Sequence, residues 1–302
     1  MGTPDFAVPS LKKLIEYNYE IPFVVTVPDK EKGRGLKKQF SPVKITAIEN
    51  NIPVLQPENL KDEIFISELK KANPDLIVII AFRMLPREVY TAPKSGSVNL
   101  HGSLLPKYRG AAPINRAIMS GEKETGLTTF FLQDKADTGN ILLQEKVEIK
   151  DEDNAGTLHD KLSILGSELI LKTIKLIESG KYELMVQDDT LATKAPKIFK
   201  EDCLINWNEP ALRINNLIRG LSPYPAAFTH LNGKICKIFK SNLTGIKSTL
   251  ELGKITNNGK QIFVSTTDKL LEILELQLEG KKRIPSGEFL NGIDKNFLIK
   301  FE

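Results

Sequence analysis

Five consecutive apolar residues, LIVII at 76–80, constrain this chain more than any other stretch. A β-branched run that short and without polar alternation suits a strand buried on both faces, which is the place of a central strand in a parallel sheet. Helical patterns surround it: residues 41–50 and 62–72 carry apolar side chains at helical spacing, and Asn73-Pro74 stops the second. Residues 22–27 (PFVVTV) and 52–55 read as further strands. The alternation continues with a short strand around Val98 and Leu100, a helix over 111–120 entered through Pro113, and strands over 127–132 and 141–149. A long helix over 157–179 follows, with Leu158, Leu162, Leu165, Leu169 and Ile170 on one stripe. The expected fold class is α/β, a Rossmann-like, mostly parallel sheet with helices on both faces.

In such sheets ligands bind outside the C-terminal ends of the strands. Residues 98–110, VNLHGSLLPKYRG, deliver a histidine and a stiff loop to that edge. If Val98 and Leu100 face inward, Asn99 and His101 alternate onto the opposite face near the strand's end. Gly102 and Pro106 then end the extended run, one by relaxing the backbone and the other by withholding a donor. Taken alone, one such histidine reads as a hydrogen-bonded core residue. Likewise Asp137, in the turn signal Asp137-Thr138-Gly139-Asn140, reads alone as a turn or capping residue. Residues 81–86, AFRMLP, reach the same edge, and by themselves Phe82, Met84 and Leu85 read as core. Between 30 and 38, Lys30, Lys32, Arg34, Lys37 and Lys38 surround Gly33 and Gly35 in a polar loop, by composition a solvated surface segment.

Past residue 180 the rhythm changes. Residues 181–203 are polar and extended, with Lys194, Pro196, Lys197 and Lys200. Residues 204–302 then alternate short β-rich runs, over 226–231, 235–239, 261–266 and 270–278, with the hairpin signals Asn232-Gly233 and Asn258-Gly259. A compact module of this pattern suggests an OB-like β-barrel. Lys281, Lys282 and Arg283 supply charge there, or a solvated loop. The 302 residues suffice for two cores, and the expected division is 1–180, a basic linker over 181–203, and 204–302. No apolar run approaches the ~20 residues of a membrane span and no signal-type start is present, which places the chain in the cytoplasm. Cys203 and Cys236 are isolated, without the clustered spacing that holds a metal, so no metal is expected. A net charge of +4 does not by itself indicate nucleic-acid binding.

From Val98 through Val147, above all in NLHGSLLPKYRGAAPINRAI and DTGNILLQ, the sequence resembles the folate-dependent formyltransferase family. GTPDFAVPSL, KGRGLKK with SPVK, IPVLQPENL, the APK of the linker, LIRGLSPYPAAFT and LQLEGKKR extend the match over nearly the whole chain. The linker and C-terminal motifs narrow it to members whose acceptor is a tRNA. The resemblance implies 10-formyltetrahydrofolate as co-substrate, methionyl initiator tRNA as partner, and a monomer. It implies a catalytic set of Asn99, His101 and Asp137. Phe82, Met84, Leu85, Ser103, Leu104, Leu105 and Pro106 become folate-binding candidates. Arg34 leads the tRNA candidates, with Lys32, Lys37, Lys38, Lys194, Lys197 and Lys200. Two departures stand out. Phe82-Arg83 replaces a commoner Tyr-Gly, and Gly2-Thr3-Pro4 opens the chain where the family has a preceding apolar strand. The expectation is a sheet without its central first strand, through truncation or a start assigned late.

The residues make chemical sense for formyl transfer to an amine. Attack builds negative charge on the formyl oxygen and positive charge on nitrogen, so the site needs a donor and a base. Asn99 and His101 are the expected oxyanion donors, and Asp137 the group that orients His101 and helps the amine proton leave. An α-amino group, with an ordinary pKa of about 7.7, is already partly uncharged at neutral pH. No serine or cysteine is paired in sequence with the histidine, so no covalent intermediate is called for. Two rivals are a related enzyme with an amino sugar or water as acceptor, and an RNA-binding protein with a disabled catalytic domain.

Overall fold

The structure, a computed structural model, describes residues 1–32, 37–292 and 300–301, and of residues 31, 32, 37 and 38 the backbone alone. The chain forms two compact units. One comprises Met1–Gly110, Thr125–Glu148 and His159–Ala195, the other Ala111–Glu124, Ile149–Leu158 and Pro196–Glu302. The first unit thus runs on past residue 180, because residues 185–195 pair with its loops: Met185 bridges Ile141 and Lys194 bridges Arg109.

In the first unit the LIVII run forms strand Ile77–Ile80, parallel to strand Ser97–His101, with Ile79 opposite Asn99 and Ile80 opposite Leu100. Strand Glu124–Phe131 lies antiparallel on the other side, with Phe130 opposite Asn99 and Thr128 opposite His101. Strand Ile141–Glu148 neighbours it. The sheet is therefore mixed beyond Ser97–His101.

Opposed residues share a sheet face. Ile77 and Ile79 pack with Phe65 and Leu69 of helix Glu63–Ala72 and with Val89 of the short helix Arg87–Tyr90. On the other face Leu100 meets helix Ala155–Ser179 so closely that a Cβ on Gly166 would lie 2.6 Å from Leu100 Cδ2. Thr129 and Thr173 hydrogen-bond there at 2.8 Å. Local signals set the helix ends. The Asp62 carboxylate accepts from the Ile64 and Phe65 amides, and Asn73 closes the same helix at φ 43°.

The sequence predicts a sheet that lacks its first strand, and Met1 and Gly2 alone stand in that place. The Gly2 amide donates to Val25 O at 3.0 Å, the Ile80 amide donates to Met1 O at 3.0 Å, and the Met1 amino group donates to Val78 O at 2.7 Å. These two residues join the parallel pair Val24–Val25 and Val54–Leu55 to the four-stranded sheet. The expected polar loop is flanked by a hairpin, Lys30–Lys32 against Lys37–Gln39. Arg34 lies outside the described residues, as do the side chains of Lys32, Lys37 and Lys38.

The second unit holds an antiparallel sheet in the order Ile255–Asn257, Ile262–Ser265, Lys269–Leu278, Lys234–Lys247, Ala227–Leu231, with Ile284–Pro285 also pairing Lys269–Leu278. Asn232 and Gly233, at φ 50° and 72°, make the two-residue turn that their sequence signals. Helix Ala211–Leu221 was not expected from the β-rich pattern around it. It buries Ile214, Ile218 and Leu221 in a core with Trp207, Ile238 and Leu276. Among the described residues no helix is long and apolar enough to cross a membrane.

Candidate active site

Asn99 and His101 stand two residues apart on one face of their strand, ~7 Å along it. His101 is buried, and its Nε2 lies 2.9 Å from Tyr108 O. A carbonyl can only accept, so the proton sits on Nε2 and Nδ1 is left for exchange. Nδ1 faces Asp137 Oδ1 at 3.8 Å, beyond hydrogen-bond length but close enough for a charged imidazole to be attracted. Asp137 Oδ2 accepts from the Gly110 amide at 2.9 Å. Asp137 holds φ 57°, a left-handed backbone that few residues other than glycine adopt. Asn99 is half-buried, and its side chain makes no hydrogen bond among the described residues.

The loop after His101 is fixed by residues that the sequence does not single out. Thr128 Oγ1 donates to Ser103 O at 2.7 Å and accepts from the Leu105 amide at 3.1 Å. Gln144 Nε2 donates to Leu105 O at 2.8 Å and to Thr128 Oγ1 at 2.9 Å. Among the folate candidates the environments divide. The fully buried Ser103 hydroxyl donates to Lys107 O, Leu105 packs with Phe130 and Ile141, and Leu85 lies in the core beside Ile79. Phe82, Leu104 and Pro106 are half-buried, and Met84 is 69% exposed. Arg83 lies over the Phe82 ring at 5.5 Å and donates to Glu58 O at 2.7 Å.

A strap over residues 187–195 closes on both loops. The Arg109 amide donates to Thr193 O at 2.9 Å, the Ala195 amide donates to Arg109 O at 2.7 Å, and the Tyr108 amide donates to Thr193 Oγ1 at 2.8 Å. Gln187 donates to the carbonyls of Asp137 and Gly139, at 3.0 and 2.7 Å, and accepts from Arg109 Nε and Nη2, at 3.1 and 2.7 Å. Thr128, Gln187 and Thr193 carry no local pattern that would mark them, whereas Arg109 and Gln144 sit inside the motifs KYRG and DTGNILLQ. Lys194, Lys197 and Lys200 are exposed, and Lys197 lies 5.7 Å from the exposed Phe199 ring.

Gly139 has no room for a side chain: a Cβ would stand 1.7 Å from Phe131 O. Gly139→Ala must push the Asp137 turn away from the strand. The expected results are a loss of about 1–3 kcal/mol in denaturant unfolding, as for other overpacked sites, and a fall in turnover. Unchanged stability and rate would mean that the turn relocates freely.

A carboxamide with free donors, an imidazole with one open nitrogen and a carboxylate facing it are groups whose chemistry can serve direct acyl transfer. The nearby Ser103 hydroxyl is committed to its own loop. Comparison with known proteins gives the class a name. The formyl transferase family model matches residues 1–174, and the model of the formyl transferase C-terminal domain matches residues 197–294. The methionyl-tRNA formyltransferase of Bacteroides thetaiotaomicron is 48% identical over 97% of this chain and 94% of that protein. The methionyl-tRNA formyltransferase of Flavobacterium johnsoniae is 48% identical over 97% of this chain and 95% of that protein. Among solved structures, the N-formyltransferase from Helicobacter canadensis, in complex with folinic acid and dTDP-3-aminofucose, shares the fold. Its TM-score is 0.64 at 23% identity over 94% of this chain and 97% of that one. The chain belongs to the formyl transferase family, and within it to the methionyl-tRNA formyltransferases.

Proposed function

We propose that this enzyme transfers the formyl group of 10-formyltetrahydrofolate to the α-amino group of methionyl initiator tRNA, giving formylmethionyl-tRNA for translation initiation. The observation that carries the mechanism is the open Nδ1 of His101 facing Asp137, on the strand that also presents the unbonded Asn99. As the amine attacks the formyl carbon, the Asn99 amide donates to the developing oxyanion. His101 acts through Nδ1, because Nε2 is held by Tyr108 O. Once protonated, Nδ1–H is a second oxyanion donor, and the Asp137 carboxylate stabilises the imidazolium. After attack the Asp137 carboxylate takes the ammonium proton, directly or through water, and the Nδ1 proton of His101 is given to the folate nitrogen as its bond to the formyl carbon breaks. Half-buried Phe82, Leu104 and Pro106, with exposed Met84, are the apolar surface offered to a flat pterin ring. Leu85, Leu105 and Ser103 support that surface from behind.

The tRNA is held through phosphates by Arg34, Lys32, Lys37 and Lys38 and by Lys194, Lys197 and Lys200, with the C-terminal unit serving as an OB-like barrel of a cytoplasmic monomer. Affinity for tRNA should then fall steeply with added salt. Arg34→Ala should reduce the log–log slope by about 0.7–0.9, one phosphate contact. A slope near zero in the parent chain would remove this part of the proposal. Formyl transfer is tested by single turnover with 10-formyltetrahydrofolate and methionyl initiator tRNA, with uncharged tRNA as control. Binding of that tRNA without transfer would favour an RNA-binding role.

A further inference from the structure

We propose that Gln187 is a positioning residue that sets the His101–Asp137 geometry by joining the two loops that carry it. The inference rests on the catalytic reading of Asp137 and His101 above. All four hydrogen-bonding positions of the buried Gln187 carboxamide are used: both N–H groups on the carbonyls of Asp137 and Gly139, and the oxygen on two nitrogens of Arg109. The orientation is unambiguous, since a flipped amide would turn its oxygen toward two carbonyls and its N–H groups toward a guanidinium.

What lies at each end gives the bond set its consequence. Arg109 stands between Tyr108, whose carbonyl accepts from His101 Nε2, and Gly110, whose amide donates to Asp137 Oδ2. Asp137 and Gly139 bracket a turn held at a left-handed backbone angle. One side chain therefore ties the backbone next to the imidazole anchor to the backbone that aims the carboxylate. Asp189 adds an ion pair to Arg109 Nη2 at 2.8 Å from the same strap, so one guanidinium nitrogen holds the strap at both Gln187 and Asp189. Without the carboxamide the Asp137 turn loses its two inward hydrogen bonds, and the carboxylate is no longer fixed opposite Nδ1.

The test is a double-mutant cycle in single-turnover formyl transfer. Gln187→Glu keeps the length and the acceptor for Arg109 but turns one oxygen, in place of Nε2, toward both carbonyls. Gln187→Met keeps the shape without polar atoms, and serves if the first variant does not fold by thermal unfolding. Each should slow transfer about tenfold to a hundredfold, as for a reacting group displaced by an ångström, while folate and tRNA dissociation constants hold within about twofold. In an Asp137→Ala background the same substitution should change the rate by less than about twofold, because residues acting as one unit are not additive. An equal loss in both backgrounds would overturn the proposal and make the carboxamide a support of the fold alone. An undiminished rate in the Gln187 variants, with Asp137→Ala impaired, would also overturn it. A full rate in Asp137→Ala itself would instead remove the catalytic reading on which the proposal stands.

Discussion

His101→Ala should lower the single-turnover rate of formyl transfer by about 10²–10⁴-fold, the range for a positioned acid–base group, and leave tRNA affinity nearly intact. Truncation at this position removes the Nδ1 that faces Asp137 and the hydrogen bond to Tyr108 O. The barrier rises because neither the oxyanion nor the departing amine proton then has its partner. Asn99→Ala should cost about 10²-fold, or about 3 kcal/mol, as for the loss of one oxyanion donor. The Asn99 effect should be the cleaner of the two, since that side chain supports no hydrogen bond among the described residues and its removal leaves nothing orphaned. The measurement is the rate at saturating 10-formyltetrahydrofolate and methionyl initiator tRNA, beside equilibrium tRNA binding. Lost tRNA binding with an intact rate would reverse the assignment of these residues.

The parts of this site that the sequence shows are those with a short-range pattern. LIVII reads as a buried strand, and its neighbour's alternation puts Asn99 and His101 on one face at a strand end. Asp137 is visible as a turn residue, and only the formyltransferase resemblance ties it to His101. The supports are invisible for a physical reason. Gln187 reaches Arg109 across 78 positions and Asp137 across 50, and a hydrogen bond between loops has no period to leave in the sequence. The apolar loop residues are ambiguous for another reason. Leu85, Leu105 and Met84 have similar hydropathy, and only packing against Ile79 or Phe130 decides which are enclosed and which face outward. Helix Ala211–Leu221 was hidden by its setting, although Ile214, Leu217, Ile218 and Leu221 follow helical spacing. The two-residue strand segment at Met1 and Gly2 is too short to carry any pattern.

That segment sets the second large expectation: the 302-residue chain should gain stability as pH rises from about 5 to about 8. The Met1 residue as a whole is half-buried, but its amino group is enclosed in the sheet and donates to Val78 O. Burial pushes its pKa down from 8.0 to about 5. Between those values the unfolded chain carries a proton on this amine and the folded chain does not, so the unfolded state binds more protons and stability rises with pH. The gap corresponds to about 4 kcal/mol, fully lost below pH 5 and fully regained above pH 8. The window separates this group from the carboxylates that the fold holds low. Asp268, lowered mainly by the Ala211 amide, contributes stability above the ordinary carboxylate range and loses it only as pH falls further. Denaturant unfolding at pH 5.5 and 8.0, on chains verified to begin at Met1, gives the change. The same chain acetylated at Met1 has no titrating amine and isolates it from the histidines. An equal pH dependence in both chains would show that the amino group titrates as it would in water, and that Met1 does not hold its place between Val25 and Ile80.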